Sequence, residues 1–358
     1  ALYFRKGFGL RGEVEDALSG DYTGQLVDLL RAREYVLEAG GVTICLAKEF
    51  GFCYGVERAV EYAYQTRKKF AERRIFLAGE IIHNPHVNAK IAAMGIVILS
   101  ADAEGFDYSA VRPDDVVILP AFGVTIDDFE RLRALGCVMV DTTCGSVLNV
   151  WKRVENYARD GFTALIHGKY YHEETRATAS QVTKHANGRY LVVRDRAEAQ
   201  IVCDYIEGHG TREGFMDRFA HATSDGFDPD LDLARIGVAN QTTMLARESL
   251  AVGELVGAAM ESRFGAPYRA ERFRTFDTIC SATQDRQDAV LELLREPLDV
   301  MLVIGGYNSS NTMSLAAICA ERVATYHIED AVCVDPARAA IRHQPIGSKT
   351  QVEVSAWL

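Results

Sequence analysis

Three cysteines in this sequence share a local setting that suits metal binding. Cys53, Cys144 and Cys280 each follow a short extended segment and directly precede a stretch with helical periodicity. A helix N-terminus carries unpaired N–H groups and a partial positive charge, which stabilise a thiolate. Three thiolates that meet at one point can bind zinc or an iron–sulfur cluster and leave one metal position open. The pattern therefore predicts a catalytic metal site, with three unrelated buried cysteines as the alternative.

A glycine-rich turn late in the chain is suited to binding an anion. Gly305 and Gly306 follow an apolar run, and Ser309, Ser310 and Asn311 come just before the next helical stretch. Glycines let a ligand approach the backbone and a helix N-terminus attracts negative charge, so the turn fits a phosphate or diphosphate. It matches neither a Walker loop nor a dinucleotide fingerprint. Taken alone, Ser309 also has the simpler interpretation of a helix N-cap.

Four further polar residues lie in turns that follow predicted strands. A lone histidine in a turn, such as His83 or His172, is usually a surface residue, but beside a diphosphate it can donate a hydrogen bond. Glu174 either complements a helix dipole or, inside an enclosed site, delivers a proton. Thr242 has a helix cap as its simplest interpretation. Together these residues are typical of a site for an anionic substrate.

The elements that must position these residues follow an alternating pattern from about residue 42 onwards. Short β-rich runs alternate with amphipathic helical stretches, which is typical of βαβ units whose functional groups collect at the carboxyl ends of parallel strands. The predicted strands are Val42–Leu46, Arg74–Leu77, Val116–Leu119, Cys137–Val140, Thr163–Ile166, Tyr190–Val193, Arg235–Val238 and Val300–Ile304. The helices predicted after the three cysteines are Tyr54–Phe70, Ser146–Arg159 and Ala282–Leu294. The sequence therefore predicts an α/β fold with mostly parallel sheets.

The repeated cysteine–helix arrangement predicts three pseudo-symmetric α/β lobes around a common centre. The predicted domains are an N-terminal helical extension (1–40), a first lobe (41–135), a second lobe (136–265) and a third lobe (266–358). We expect the third lobe to continue beyond Leu358.

Composition excludes several classes of function. The net charge of −11 and the lack of a long basic stretch argue against nucleic-acid binding. No apolar run is long enough for a membrane span and no leader is apparent, so we expect a cytoplasmic protein, or a stromal one in a plastid. Eight cysteines without a CxxC pair argue against a disulfide framework or a zinc ribbon. The remaining five are expected to be small buried hydrophobes: Cys45, Cys137, Cys203, Cys319 and Cys333.

An ordered set of these motifs resembles one enzyme family, the 4-hydroxy-3-methylbut-2-enyl diphosphate reductases of the LytB type. The resemblance covers about residues 42 to 330, and the segment Arg5–Gly9 is similar to the longer form of cyanobacteria and plastids. The motifs that carry it are Gly51–Val56, Ile82–Asn84, Asp141–Cys144, His172–Glu174, Gln241–Thr243, Ile279–Gln287 and Asn308–Asn311.

The resemblance implies a trefoil of three α/β lobes around a [4Fe–4S] cluster and a reductive dehydroxylation that forms isopentenyl and dimethylallyl diphosphate. It implies that Cys53, Cys144 and Cys280 hold the cluster. The catalytic residues would be Glu174, Thr242 and His172: Glu174 would supply a proton, and Thr242 would help to place the substrate and relay the proton. The residues implied to bind the diphosphate are His83, His172, Ser309, Ser310 and Asn311. The electron donor would be a protein such as ferredoxin or flavodoxin. A non-enzymatic iron–sulfur sensor or carrier and a zinc-dependent hydrolase remain the alternatives.

Three positions depart from the family pattern. Phe122 occupies a position where many members have a histidine, so it is assigned no ligand role. Gly145–Ser146 stands where a proline often follows the second cysteine, which we expect to be tolerated. The family's Gly-Ala-Ser-x-Pro segment does not occur up to Leu358.

Overall fold

The computed structural model describes residues 2–102, 105–276 and 278–358. Asp277, in the motif before Cys280, and Ala1, in the predicted extension, lie outside the described residues. The strands are β1 (Tyr3–Phe4), β2 (Val36–Ala39), β3 (Val42–Cys45), β4 (Ile75–Ala78), β5 (Ile96–Leu99), β6 (Ala101–Asp102), β7 (Gly105–Phe106), β8 (Val116–Leu119), β9 (Val138–Asp141), β10 (Thr163–His167), β11 (Tyr190–Val193), β12 (Ile236–Asn240), β13 (Phe273–Thr275), β14 (Val300–Ile304), β15 (Ala324–Ile328), β16 (Val334–Asp335), β17 (Ala340–His343) and β18 (Val352–Ser355). The helices are α1 (Arg11–Tyr22), α2 (Gln25–Ala32), α3 (Tyr54–Lys69), α4 (Pro85–Ala93), α5 (Ile126–Leu135), α6 (Gly145–Arg159), α7 (Glu173–Ser180), α8 (Arg196–Ile206), α9 (Arg212–Phe219), α10 (Pro229–Asp232), α11 (Ala246–Phe264), α12 (Arg269–Arg272), α13 (Ser281–Leu293) and α14 (Ser310–Ala320).

The larger sheets are parallel, so the predicted α/β class with mostly parallel sheets is confirmed. A five-stranded sheet has the order β1-β9-β8-β4-β5, with parallel pairing from β1 through β4. A four-stranded sheet, β11-β10-β12-β13, is parallel throughout, and β14 pairs in parallel with β15. Antiparallel pairing joins β2 to β3, β6 to β7, and β16 through β17 to β18.

Both faces of the four-stranded sheet are buried. Leu165 of β10 packs into one hydrophobic core, whereas its neighbours Ala164 and Ile166 pack into another core with Val154 and Tyr157 of α6. Successive side chains of a strand point to opposite faces, so a strand covered on both sides has a continuous apolar sequence. This burial explains why β10, β11 and β12 were predicted to within two residues, whereas the three-residue strand β13 was not predicted.

Contacts divide the chain into two compact units. The first comprises Ala1–Arg5, Ile75–Gly79 and Ile98–Cys280, and it carries the four-stranded sheet and most of the five-stranded sheet. The second comprises Lys6–Arg74, Glu80–Val97 and Ser281–Leu358. It contains the β2–β3 hairpin, the β14–β15 pair and the helices α3 and α14. The predicted lobe boundaries near residues 135 and 265 stay a prediction.

The N-terminal region contains strands as well as the expected helices. Tyr3 and Phe4 form an edge strand on β9, and α1 and α2 follow. The run Val42–Leu46 was predicted as part of a parallel α/β unit, and this is wrong because β3 pairs antiparallel with β2. Gly40 and Gly41, with φ of 58° and 82°, supply the positive φ values that a two-residue hairpin turn requires.

Within the described residues, no helix combines the length and the apolar character needed to cross a bilayer.

Candidate functional site

In the first unit, the sulfur of Cys280 lies beside the start of the helix that Cys144 begins. Cys144 is the N-cap residue of α6, and its side chain makes no capping hydrogen bond. The Ser146 hydroxyl, in the first turn of α6, donates to Cys280 Sγ at 3.3 Å. The Cys280 backbone N–H donates to the Thr242 carbonyl at 3.2 Å. The helix N-terminus favours thiolates, so this arrangement suits metal ligation by sulfur.

Glu174 is a buried carboxylate that Thr242 holds at both oxygens. Glu174 is 1% exposed and lies in the first turn of α7. The Thr242 N–H donates to Oε1 at 2.6 Å, and its hydroxyl donates to Oε2 at 3.0 Å. Burying a carboxylate is costly unless it is hydrogen-bonded, and these bonds fix its orientation. The helix-cap interpretation of Thr242 is therefore wrong: α11 begins at Ala246, with Leu245 as its N-cap residue.

His172 caps α7 in the same turn as Glu174. Its Nδ1 accepts a hydrogen bond from the Glu174 backbone N–H at 3.2 Å. Because an accepting Nδ1 carries no proton, the neutral ring has its proton on Nε2. The imidazole is buried and meets the Phe122 ring edge to face, with 5.5 Å between ring centroids. His172 thus has an Nε2–H that can donate to an anion, and Phe122 packs against it.

Lys169, in the turn between β10 and α7, and Gln241, which follows β12, are two residues that sequence reasoning left without a role. Gln241 is buried, and its Oε1 accepts from the Lys169 N–H at 3.1 Å and the Thr175 hydroxyl at 3.0 Å. Burial lowers the pKa of the Lys169 ammonium. Gln241 thus ties the His172 turn to the end of β12. Their positions at adjacent strand ends were the available signal in the sequence.

In the second unit, Cys53 has the helix-start setting that was predicted. It is the N-cap residue of α3, and its side chain makes no capping hydrogen bond. Arg286 of α13 donates to the Gly51 carbonyl at 2.8 Å, and Lys48 pairs with Glu292 of α13 at 2.8 Å. The segment before Cys53 is thus anchored to α13.

The Ser309 turn and His83 lie together in the second unit. A Cβ on Gly306 would lie 2.4 Å from the His83 carbonyl oxygen, so the two backbones are in direct contact. Ser309 is the N-cap of α14, because its Oγ accepts from the Thr312 N–H at 3.2 Å. The cap interpretation of Ser309 is therefore confirmed, and it leaves the hydroxyl hydrogen for another acceptor.

The residues after Ser309 occupy the first positions of α14. Ser310 and Asn311 lie where backbone N–H groups have no acceptor within the helix, which is where anions bind. Among the described residues, the Asn311 Oδ1 is buried without a hydrogen-bond partner. The His83 Nδ1 lies 2.7 Å from Glu80 Oε2. These groups are consistent with a polar ligand next to the start of α14.

The other five cysteines differ from these three. Cys137, Cys203, Cys319 and Cys333 are buried, as predicted, and burial raises the pKa of the Cys203 thiol to about 12 and that of Cys319 to about 11. Cys45 is only half-buried, because the β2–β3 hairpin that carries it pairs with no further strand. None of the eight cysteines, all of them within the described residues, forms a disulfide.

A cavity of about 320 Å³ lies in the first unit, away from the candidate residues. Leu233 and Ala234, which precede β12, and Arg263 and Phe264 at the end of α11 contribute to its wall. Thr242 follows the opposite end of β12. None of the candidate residues lines this cavity.

Each unit holds part of the predicted residue set. The first unit brings together residues linked by the hydrogen bonds described above: Cys144, Cys280, Thr242, Glu174 and His172. The second unit holds Cys53, His83, Ser309, Ser310 and Asn311, and brings the last four together at the Gly306 contact.

The chain is similar to one protein family and to several curated proteins. The model of the family described as LytB protein matches residues 44–355. A 4-hydroxy-3-methylbut-2-enyl diphosphate reductase from Gloeobacter violaceus is 49% identical, over 99% of this chain and 85% of that protein. The protein of the same name from Thermosynechococcus vestitus is 48% identical, over 99% and 87%.

Two solved structures are also similar. A structure of (E)-4-hydroxy-3-methyl-but-2-enyl diphosphate reductase, described as the terminal enzyme of the non-mevalonate pathway, has a TM-score of 0.51 and 28% identity. The match covers 81% of this chain and 87% of the chain in that structure. The E-1-hydroxy-2-methyl-but-2-enyl-4-diphosphate reductase from Plasmodium falciparum has a TM-score of 0.59 at 21% identity, over 80% and 76% of the two chains, and bears on the fold alone.

Proposed function

This chain belongs to the LytB family and is an oxidoreductase, and from that premise we propose that it reduces 4-hydroxy-3-methylbut-2-enyl diphosphate. The reaction takes up two electrons and two protons and releases the allylic hydroxyl as water. The products are isopentenyl and dimethylallyl diphosphate. The near-complete coverage of relatives with this name supports the substrate. The single observation that carries the chemistry is the buried, doubly hydrogen-bonded Glu174 linked through Thr242 to Cys280.

We propose that Cys53, Cys144 and Cys280 ligate a [4Fe–4S] cluster. The residues fit such a group, since each thiol stands at a helix start and Cys144 and Cys53 make no capping bond. Thiolate sulfur is the usual ligand of iron–sulfur clusters. When bound, the cluster would supply single electrons and a Lewis-acidic iron for the substrate oxygen. Three cysteine ligands would leave one iron of such a cluster open to the substrate.

Glu174 is proposed to deliver the proton that the departing hydroxyl requires. A carboxyl shielded from water can hold a proton at Oε2 and give it to a leaving oxygen. The Thr242 N–H can only donate, so Oε1 must remain an acceptor. Oε2 faces the Thr242 hydroxyl, which can either donate or accept, so Oε2 is the oxygen that can carry the proton. When Oε2 is protonated, that hydroxyl accepts instead of donating. Thr242 thus orients the acid and can pass a proton to it.

The diphosphate is proposed to bind His83, His172, Ser309, Ser310 and Asn311. His172 would donate through Nε2–H, because its Nδ1 is occupied by the Glu174 N–H. Ser309 would donate its hydroxyl hydrogen while its oxygen caps α14. The backbone N–H groups at the start of α14 would complement the negative charge. Recognition in this form relies on hydrogen bonds and a helix terminus, without a cluster of Lys and Arg.

Electrons must come from a partner, because every turnover consumes two electrons that have to be resupplied before the next. We propose a one-electron carrier such as ferredoxin or flavodoxin, and we propose the cytoplasm as the location.

The proposal is tested with protein isolated anaerobically and given a reduced ferredoxin. Mass spectrometry should find both five-carbon diphosphate products from the hydroxylated substrate. Binding of the diphosphate to the holoprotein would separate an enzyme from an iron–sulfur carrier, and metal analysis would separate it from a zinc hydrolase. Iron-loaded protein that neither binds nor reduces the substrate would contradict the proposal.

A further inference from the structure

The N-terminal end of the chain reaches the strand that leads to Cys144. Tyr3 and Phe4 form β1 and pair with Met139 and Val140 of β9, and the Met139 N–H donates to the Leu2 carbonyl at 2.8 Å. This pairing lies within the first unit. It brings the side chains of residues 3 and 5 to the last residue of β9, which is Asp141.

Asp141 connects this N-terminal strand to the turn that carries Cys144. The Tyr3 hydroxyl donates to Asp141 Oδ2, and the Arg5 Nε lies 3.5 Å from the same oxygen. The other oxygen, Oδ1, accepts from the Thr143 N–H at 2.9 Å. One carboxylate oxygen thus contacts side chains of the N-terminal segment, and the other accepts a hydrogen bond from the turn that ends at Cys144.

The position of this carboxylate depends on its partners. Asp141 is 5% exposed, and a buried charge persists in one orientation only when it is paired and hydrogen-bonded. Burial and the neighbouring carboxylate raise the pKa of the Tyr3 hydroxyl, which therefore stays protonated and remains a donor. The edge-to-face contact of Tyr3 with Phe129 of α5, with 5.5 Å between ring centroids, fixes the phenol ring.

The remainder of the turn is anchored separately. The Thr142 N–H and hydroxyl both donate to the Leu119 carbonyl, and the Cys144 N–H donates to the Ala121 carbonyl at 2.9 Å. These bonds fix the two ends of the turn. The Thr143 peptide between them is held by Asp141, so the orientation of that peptide is sensitive to Tyr3 and Arg5.

We propose that Tyr3 and Arg5 are positioning residues for Cys144, acting through Asp141 on the Thr143 peptide. The N-terminal segment thus helps to hold the turn that carries one proposed cluster ligand. The inference rests on the proposed function for the role of Cys144, but the coupling from Tyr3 to Thr143 does not.

The first test measures amide hydrogen exchange in a peptide that covers residues 141–145 of the full chain. Tyr3→Phe removes the hydroxyl and should accelerate exchange about tenfold, the effect expected from losing a hydrogen bond to a charged group. Arg5→Gln should accelerate it in the same direction. Tyr205→Phe is the matched control, because it removes a Tyr–Asp230 hydrogen bond elsewhere in the first unit.

A double-variant cycle decides whether Asp141 is the intermediary. In an Asp141→Asn background, Tyr3→Phe should add no further acceleration, because the two changes break the same connection. Unchanged exchange in both single variants, or a full additional effect in the Asn background, would overturn the proposal. Melting curves of all variants establish that the comparison is between folded proteins.

The second test uses anaerobic holoprotein and the rate of iron release to a chelator. Tyr3→Phe should release iron about fivefold faster than wild type, a change no larger than the loss of one hydrogen bond to a charged group would produce. Tyr205→Phe should release iron at the wild-type rate. Equal release rates in Tyr3→Phe and wild type would contradict the link to Cys144. If wild-type protein binds no iron, the proposed function fails, whereas the exchange experiment still decides the coupling.

Discussion

At the scale of single residues, the proposed chemistry depends on Glu174 and His172, which already make hydrogen bonds within the protein. Glu174 accepts two hydrogen bonds from Thr242, and His172 uses Nδ1 to cap α7. These bonds fix the orientation of the Glu174 carboxylate and of the His172 ring. The sequence predicted a role for both residues, but it could not show these pairings. Glu174 and Thr242 lie 68 positions apart, so no local pattern connects them.

Replacing Glu174 by Gln tests the proposed acid. The amide keeps the size of the side chain but cannot deliver a proton, so turnover should fall about 100-fold or more while substrate binding persists. Glu155→Gln is a matched control on α6, with a side chain that is 39% exposed and pairs with Lys184, and should retain turnover. Steady-state kinetics and a binding isotherm provide the measurements. Wild-type turnover in Glu174→Gln would remove its proton role.

Two substitutions at His172 separate its two functions. Asn is a good N-cap, so His172→Asn should keep the melting temperature but raise KM about tenfold through loss of the Nε2–H. His172→Ala should raise KM similarly and also lower the free energy of unfolding by about 1 kcal/mol. Thermal melts and kinetics of the two variants test this. Equal KM values for His172→Asn and wild type would argue against diphosphate binding by the imidazole.

At the scale of secondary-structure elements, the site is built from turns between parallel strands and helix starts. Several strands were predictable because buried parallel strands are continuous apolar runs, as in β8 and β10. The hairpin β2–β3 was missed although Gly40–Gly41 is a typical hairpin turn. The two-residue strand β1 was not predictable, because it is too short for any periodicity and is defined only by pairing with residues more than 130 positions away.

The contact between Gly306 and the His83 backbone makes a prediction at this scale. Gly306→Ala places a Cβ 2.4 Å from the His83 carbonyl oxygen, so one backbone must move. We expect KM to rise about tenfold, consistent with a cost of about 1–3 kcal/mol for such a shift. Gly20→Ala in α1 meets no atom within 4 Å and should leave KM unchanged. An unaltered KM in Gly306→Ala would show that this contact does not shape the anion site.

At the scale of the whole molecule, the residues proposed to take part in the reaction are divided between the two compact units. The first unit carries the proposed proton donor and two proposed cluster ligands, and the second carries the third proposed cysteine ligand and the Ser309 turn. The sequence predicted roles for these residues because each follows a predicted strand or precedes a predicted helix. The division of the chain was not predictable, because it depends on contacts between segments that are distant in sequence, such as residues 1–5 and 98–280.

The most direct test of the central claim is the iron and acid-labile sulfide content of anaerobically isolated protein, measured together with turnover. We predict about four of each per chain, as a [4Fe–4S] cluster requires, and loss of both with loss of turnover in Cys53→Ala, Cys144→Ala and Cys280→Ala. Cys203→Ala, which alters a buried core thiol, should keep its iron. Colourless, iron-free protein that still reduces the substrate, or a full iron complement in Cys144→Ala, would contradict the account.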